Sequence, residues 1–116
     1  LLLILYGEMG VFFTHFVIMT FSLGVNNLSL VTFVEFAAET ILYGGDVEEK
    51  GWLELLKNYE FITNLKKTTI LIASHHGNDS GYCKDLFKYF RPKITILSTG
   101  KYDNSNAVSM SITPKE

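Results

Sequence analysis

Residues 68–74, TTILIAS, form a continuous apolar run of the kind a strand buried on both faces requires. The run ends directly in His75, His76 and Gly77. Upstream, a second apolar stretch ends at Tyr43 and passes into Gly44, Gly45 and Asp46. Between the two lies a segment with helical spacing. Strand, helix and strand in that order imply parallel strands joined by a right-handed crossover. The carboxyl ends of both strands then share one edge of the sheet, about 4.8 Å apart where the strands are neighbours. Asp46 and His75, remote in the chain, are thereby expected to meet on the rim where open α/β sheets usually bind ligands.

The rest of the chain supports a mixed sheet, α/β or α+β in class. Strands are expected at 2–6, 11–21, 29–36, 40–43, 69–74 and 93–98, and helices at 47–57, 60–65 and 82–90. LSLVTFVEF (28–36) is rich in apolar and β-branched residues. In VEEKGWLELLKN (47–58), Trp52, Leu55 and Leu56 recur at helical spacing. Glu48 and Glu49 sit at its favourable end for negative charge, while Gly51 weakens it. In YCKDLFKYF (82–90), Cys83, Leu86, Phe87 and Phe90 make one apolar stripe, ended by Pro92.

Length sets the scale: 116 residues suffice for one small domain with one core. Residues 1–24 read as a strand hairpin. A membrane span needs about 20 unbroken apolar residues, and GEMG interrupts after six. A signal peptide needs a basic start, and this stretch has no Lys or Arg. The polar tail 101–116 is expected to be loose. With 10 basic and 12 acidic residues the net charge of −2 argues against a broad basic face for nucleic acid. The single cysteine, Cys83, excludes an internal disulfide.

A carboxylate and imidazoles on one rim are ligands for zinc, manganese or iron. The candidate site is Asp46, His75 and His76, with the second histidine acting as ligand, proton donor or substrate contact. Gly44, Gly45 and Gly77 let backbone approach closely. A helix starting near Ser80–Tyr82, capped by Asp79 or Ser80, would turn free N–H groups toward an anion such as phosphate. Plainer readings stand beside these. Asp46 after two glycines is an ordinary helix cap. His15 is a strand residue facing solvent or a neighbour, and Cys83 and Trp52 belong to the core. Lys84, Lys88, Arg91 and Lys93 read as a solvated face that near an active site would steer phosphodiesters.

Four motifs in order, NNLSLV, GGD, SHHG and RPKITILS, resemble the second half of metallo-β-lactamase-fold hydrolases over roughly residues 25–98. The branch they resemble most is the metallohydrolase domain of competence DNA-uptake channels and its soluble relatives. The resemblance implies half of an αββα sandwich and hydrolysis of an ester, foremost a phosphodiester. One or two ions, zinc or manganese, would polarise the substrate and activate water. It implies Asp46 as bridging metal carboxylate and His75 or His76 as the late histidine ligand, His75 favoured because it ends the strand. Asn27, Gly77 and Ser80 become candidate substrate contacts; for Asn26 and Asn27 loop capping is the alternative. The family's H-x-H-x-D-H motif is absent, and the isolated His15 cannot replace it. Since catalytic zinc takes three protein ligands and water, the remaining ligands are expected from outside these residues. A start at Leu1 suggests an excerpt of a longer protein. The other expectation, from a different class, is a non-catalytic remnant or interaction module that pairs through its apolar N-terminal strands. Soluble relatives of the branch imply a cytoplasmic protein.

Overall fold

A computed structural model describes residues 2–18 and 23–98. The expected tail 101–116 and the end of the strand expected at 11–21 lie outside the described residues. Six strands form one sheet in chain order: β1 (Leu2–Glu8), β2 (Val11–Val17), β3 (Leu30–Phe36), β4 (Glu39–Tyr43), β5 (Ile70–Ile72) and β6 (Ile94–Ile96). The first four pair antiparallel; β4–β5 and β5–β6 pair parallel. Helices α1 (Glu49–Leu55) and α2 (Tyr59–Lys67) cross from β4 to β5. The class is α+β with a mixed sheet, as the alternation predicts.

Local chemistry explains the elements. β1 turns into β2 through Met9 and Gly10, both with positive φ, the backbone of a tight hairpin turn that matches strand twist. Helix α2 starts at Asn58, whose side chain accepts the Phe61 N–H at 3.0 Å. Glu60 opens this helix and Lys66 and Lys67 close it, each at the dipole end that suits its charge.

The core lies on one face of the sheet. Trp52 and Leu55 of α1 and Phe61 and Leu65 of α2 pack on Phe16, Val31, Phe33, Leu42 and Leu71. Phe61 is its centre. Its ring lies 5.4 Å from Phe16, 5.5 Å from Phe33 and 6.2 Å from Trp52, the first two edge-to-face.

Two expectations change. Residues 82–90 form no α-helix but a short 3₁₀ helix, Lys84–Lys88, entered through extended Tyr82 and Cys83. Three residues per turn bring Cys83 and Leu86 to the same side, and both are buried. With Tyr82 and Cys83 extended ahead of it and Arg91–Pro92 stopping it, the segment turns only between them. The second change concerns β5. Leu71 is buried, but Ile70 and Ile72 are only half-buried. The strand register continues this uncovered face across the whole sheet. One row is Tyr6, Phe13, Val34, Ile41, Ile70 and Ile94; the next is His15, Thr32, Tyr43, Ile72 and Ile96. The run is apolar on both faces, but among the described residues helices cover only one. No helix among them is long and apolar enough to cross a membrane.

Truncating the packing centre tests this core. Phe61→Ala should lower unfolding free energy by about 3–5 kcal/mol in urea titrations. Phe12→Ala, at a residue 57% exposed, should cost about 1 kcal/mol or less. Equal losses for the two would contradict the packing described.

Candidate functional site

The parallel register of β4 and β5 pairs Tyr43 with Ile72, so both strands leave the sheet on the same edge. One more backbone bond continues beyond the ladder: the His75 N–H donates to the Gly45 carbonyl at 2.8 Å. The residue after Gly45 is Asp46. The carboxylate loop and the histidine loop are therefore joined at their roots, on the rim where the sequence expects them. Gly44 is required for this approach, because a Cβ there would sit 2.7 Å from both the Ser74 Cβ and the Trp52 ring.

Asp46 is exposed. Its N–H donates to Ser29 Oγ at 3.1 Å, and that hydroxyl donates to the Asn26 carbonyl at 2.7 Å. Asn26 Nδ2 donates to the Glu48 carboxylate at 2.6 Å. Asn27 lies deeper, 2% exposed. Its Oδ1 accepts the N–H groups of Glu48 at 2.9 Å and Gly51 at 3.1 Å, and its Nδ2 donates to the Leu23 carbonyl at 2.6 Å. Asn27 thus performs the capping of α1 from another part of the chain, satisfying donors that a helix start leaves orphaned. Of the two roles open to it, substrate contact and loop cap, all three contacts described serve the cap.

The histidine loop is strained. His75 (φ 49°, ψ 42°) and His76 (φ 57°, ψ 18°) both occupy the left-handed region, which costs of order 1–3 kcal/mol per non-glycine residue and clusters at functional sites. Gly77 follows, also at positive φ and buried. His75 is half-buried, and its Nδ1 lies 2.7 Å from Ser80 Oγ. His76 is exposed, and its Nδ1 donates to the Ser98 carbonyl at 3.2 Å. A carbonyl only accepts, so Nδ1 of His76 carries the proton and Nε2 is its lone-pair nitrogen when neutral. Nδ1 is engaged in both rings. Each ring is thereby oriented through its Nδ1.

Ser80, expected as a substrate contact, therefore bears on His75 first. The expected helix behind it is absent. Asp79–Gly81 is a three-residue 3₁₀ turn with no side-chain cap, so no helix N-terminus faces an anion there. Sequence reasoning placed Trp52 in the core and overlooked Ser74; both hold this loop. The Trp52 indole N–H donates to the Gly81 carbonyl at 3.0 Å and to Ser74 Oγ at 3.3 Å. A serine just before the histidine pair, and the only tryptophan between the two loops, were the available signals.

The remaining candidates sit elsewhere. His15 binds Thr32 Oγ1 at 2.7 Å on the uncovered sheet face, beside Tyr6 and Phe13. Burial pushes the Cys83 thiol up, outweighing the backbone N–H groups of Leu86 and Asp85 that favour thiolate. Two of the four basic residues are paired, Lys88 with Asp85 at 2.8 Å and Lys93 with Glu39 at 3.4 Å. Among the described residues no three His, Cys, Asp or Glu side chains are grouped to hold a metal ion.

A stretch of 76 residues, 66% of the chain, is 30% identical to ComE operon protein 3 of Bacillus subtilis (strain 168). The stretch spans 9% of that relative. The chain is thus similar to a small part of a much longer competence-related protein. No family model matches the chain, and no solved structure does.

The Asn27 cap makes a direct prediction. Asn27→Ala strands the N–H groups of half-buried Glu48 and buried Gly51 and the Leu23 carbonyl, and should lower unfolding free energy by about 2 kcal/mol. Amide exchange at Glu48 and Gly51 should accelerate with it. Unchanged stability and exchange would contradict the capping role.

Proposed function

We propose that this chain forms part of a metal-dependent hydrolase of the metallo-β-lactamase type, acting on phosphodiester or related ester bonds. Asp46 and one or both of His75 and His76 would be its contribution to a zinc or manganese centre. The single observation that carries the reading is the 2.8 Å bond from the His75 N–H to the Gly45 carbonyl, which roots the carboxylate and imidazole loops side by side. Asp46 and the two imidazoles are of the chemical type that binds zinc or manganese, although among the described residues no three such side chains are grouped to hold an ion; with Nδ1 on the Ser98 carbonyl, His76 keeps Nε2 as its lone-pair nitrogen. A bound ion would supply Lewis-acid polarisation of the scissile ester. This chain's own residues would hold and orient it, with Ser80 fixing the His75 ring and the Ser98 carbonyl fixing His76. The ligand set is partial, so further ligands come from polypeptide beyond these residues.

Two further observations support the reading. A stretch of 76 residues is 30% identical to part of ComE operon protein 3, which bears on the branch resembled and not on the reaction. The uncovered apolar sheet face is the surface on which the second sheet of an αββα sandwich would lie. That same face favours a second reading, a non-catalytic module that associates through its apolar strands.

Zinc and manganese titrations of the purified chain, followed by calorimetry and elemental analysis, separate the two. The hydrolase reading expects measurable binding that weakens about tenfold or more in Asp46→Ala and in the double variant of His75 and His76. Equal, near-zero metal in wild type and Asp46→Ala would overturn a metal centre formed by this chain alone and favour the module.

A further inference from the structure

We infer that Trp52 is a positioning residue that sets the geometry of the histidine loop against the carboxylate loop. The inference rests on the metal-centre reading for its functional meaning, but its structural content stands without it. Trp52 is fully buried, and its one side chain touches both loops. Its ring edge abuts Gly44, two residues before Asp46, so closely that a Cβ there would lie 2.7 Å from Cζ2. Its indole N–H reaches the other loop, at 3.0 Å to the Gly81 carbonyl and 3.3 Å to Ser74 Oγ.

Those two acceptors bracket the histidines. Ser74 precedes His75, and Gly81 follows Ser80, the partner of His75 Nδ1. The Ser74 hydroxyl also donates to the Gly81 carbonyl at 3.1 Å, closing the loop on itself. One N–H thus pins both ends of a segment whose two central residues are held in the left-handed region. Left-handed non-glycine residues persist only where their surroundings over-determine them. The ring itself is held from behind. Gly51, its neighbour in the chain, gives its N–H to Asn27, and a Cβ at Gly51 would collide with Asn27 Oδ1. Placement therefore runs from Asn27 through α1 to the histidines, and from the same helix to Gly44.

Trp52→Phe keeps an aromatic ring and removes the N–H. In the metal-free full chain, NMR Cα and Cβ shifts and HN–Hα couplings of His75 and His76 should move from left-handed values toward extended ones. Zinc affinity should fall about tenfold. Phe16→Leu, a core substitution that also lowers stability and whose ring contacts are Phe33 and Phe61, should leave both histidine signals in place, which separates positioning from general loosening. Where Trp52→Phe does not fold, Ser74→Ala carries the test, since it removes one acceptor and the loop-closing hydroxyl while keeping the indole. Histidine couplings unchanged in the folded variant would overturn the inference. Wild-type protein that binds no zinc would instead overturn a metal centre formed by this chain alone, with the metal-free couplings still deciding the role of Trp52.

Discussion

The buried carboxamide of Asn27 is the contact on which the site's framework depends. A carboxamide removed from water must be matched on every side, and here its oxygen takes two N–H groups and its nitrogen finds a carbonyl. Those bonds fix where α1 begins relative to the segment ahead of β3. Ser29, two residues on, fixes the Asp46 N–H from the same segment. The start of α1 and the carboxylate loop are therefore set by one short stretch, Asn26–Ser29. Replacing it by generic loop residues would free two groups of backbone donors at once. The sheet would persist through its apolar core, but the rim would lose its definition.

Among the described residues, the sheet is covered by helices on one face only. Its helix-facing side carries Phe16, Phe33, Leu42 and Leu71, all buried. Its other side carries a six-residue row with no charged member, from Tyr6 to Ile94, and Ile94 is 54% exposed. Isolated exposed apolar residues are ordinary on protein surfaces; a continuous row across every strand is not. His15 and Thr32 are polar members of the neighbouring row, and they are tied to each other rather than left to solvent.

Much of this was legible in sequence, because the informative signals were long-range in consequence but local in form. Alternation of strand and helix after residue 40 gave the parallel pair, and strand-end position gave the shared rim. The 82–90 segment departs from its spacing: Cys83, Leu86, Phe87 and Phe90 fit an α-helical period, but Tyr82 and Cys83 are extended and only Lys84–Lys88 turns, as a short 3₁₀ helix, so tertiary context overrides the local pattern. Gly51 looked like a weakness of α1, and by propensity it is one. Its reason lies in Asn27, 24 residues away, whose oxygen occupies the space a Cβ would need. No pattern within the helix could reveal that. Trp52 was recognisable as core from its spacing, but the destination of its N–H depends on a loop that the sequence leaves unplaced.

The strain at His75 and His76 bears on why the loop has this form. Asparagine or glycine would occupy the left-handed region at lower cost, so two consecutive histidines there sacrifice stability for imidazole. A surface loop with no demand on its side chains would have no use for that sacrifice. Under the hydrolase reading, the strained pair, the partial ligand set and the uncovered face have one origin. Polypeptide lying on the bare face of the sheet would cover the rows from Tyr6 and His15, and residues carried at its edge would reach the rim where Asp46 and the histidines meet. Under the module reading, the bare face finds a partner, and the histidines stay left-handed because the Trp52 and Ser74 bonds hold their loop. The two readings therefore share one account of the backbone and part over the imidazoles, for which the first supplies a use and the second does not.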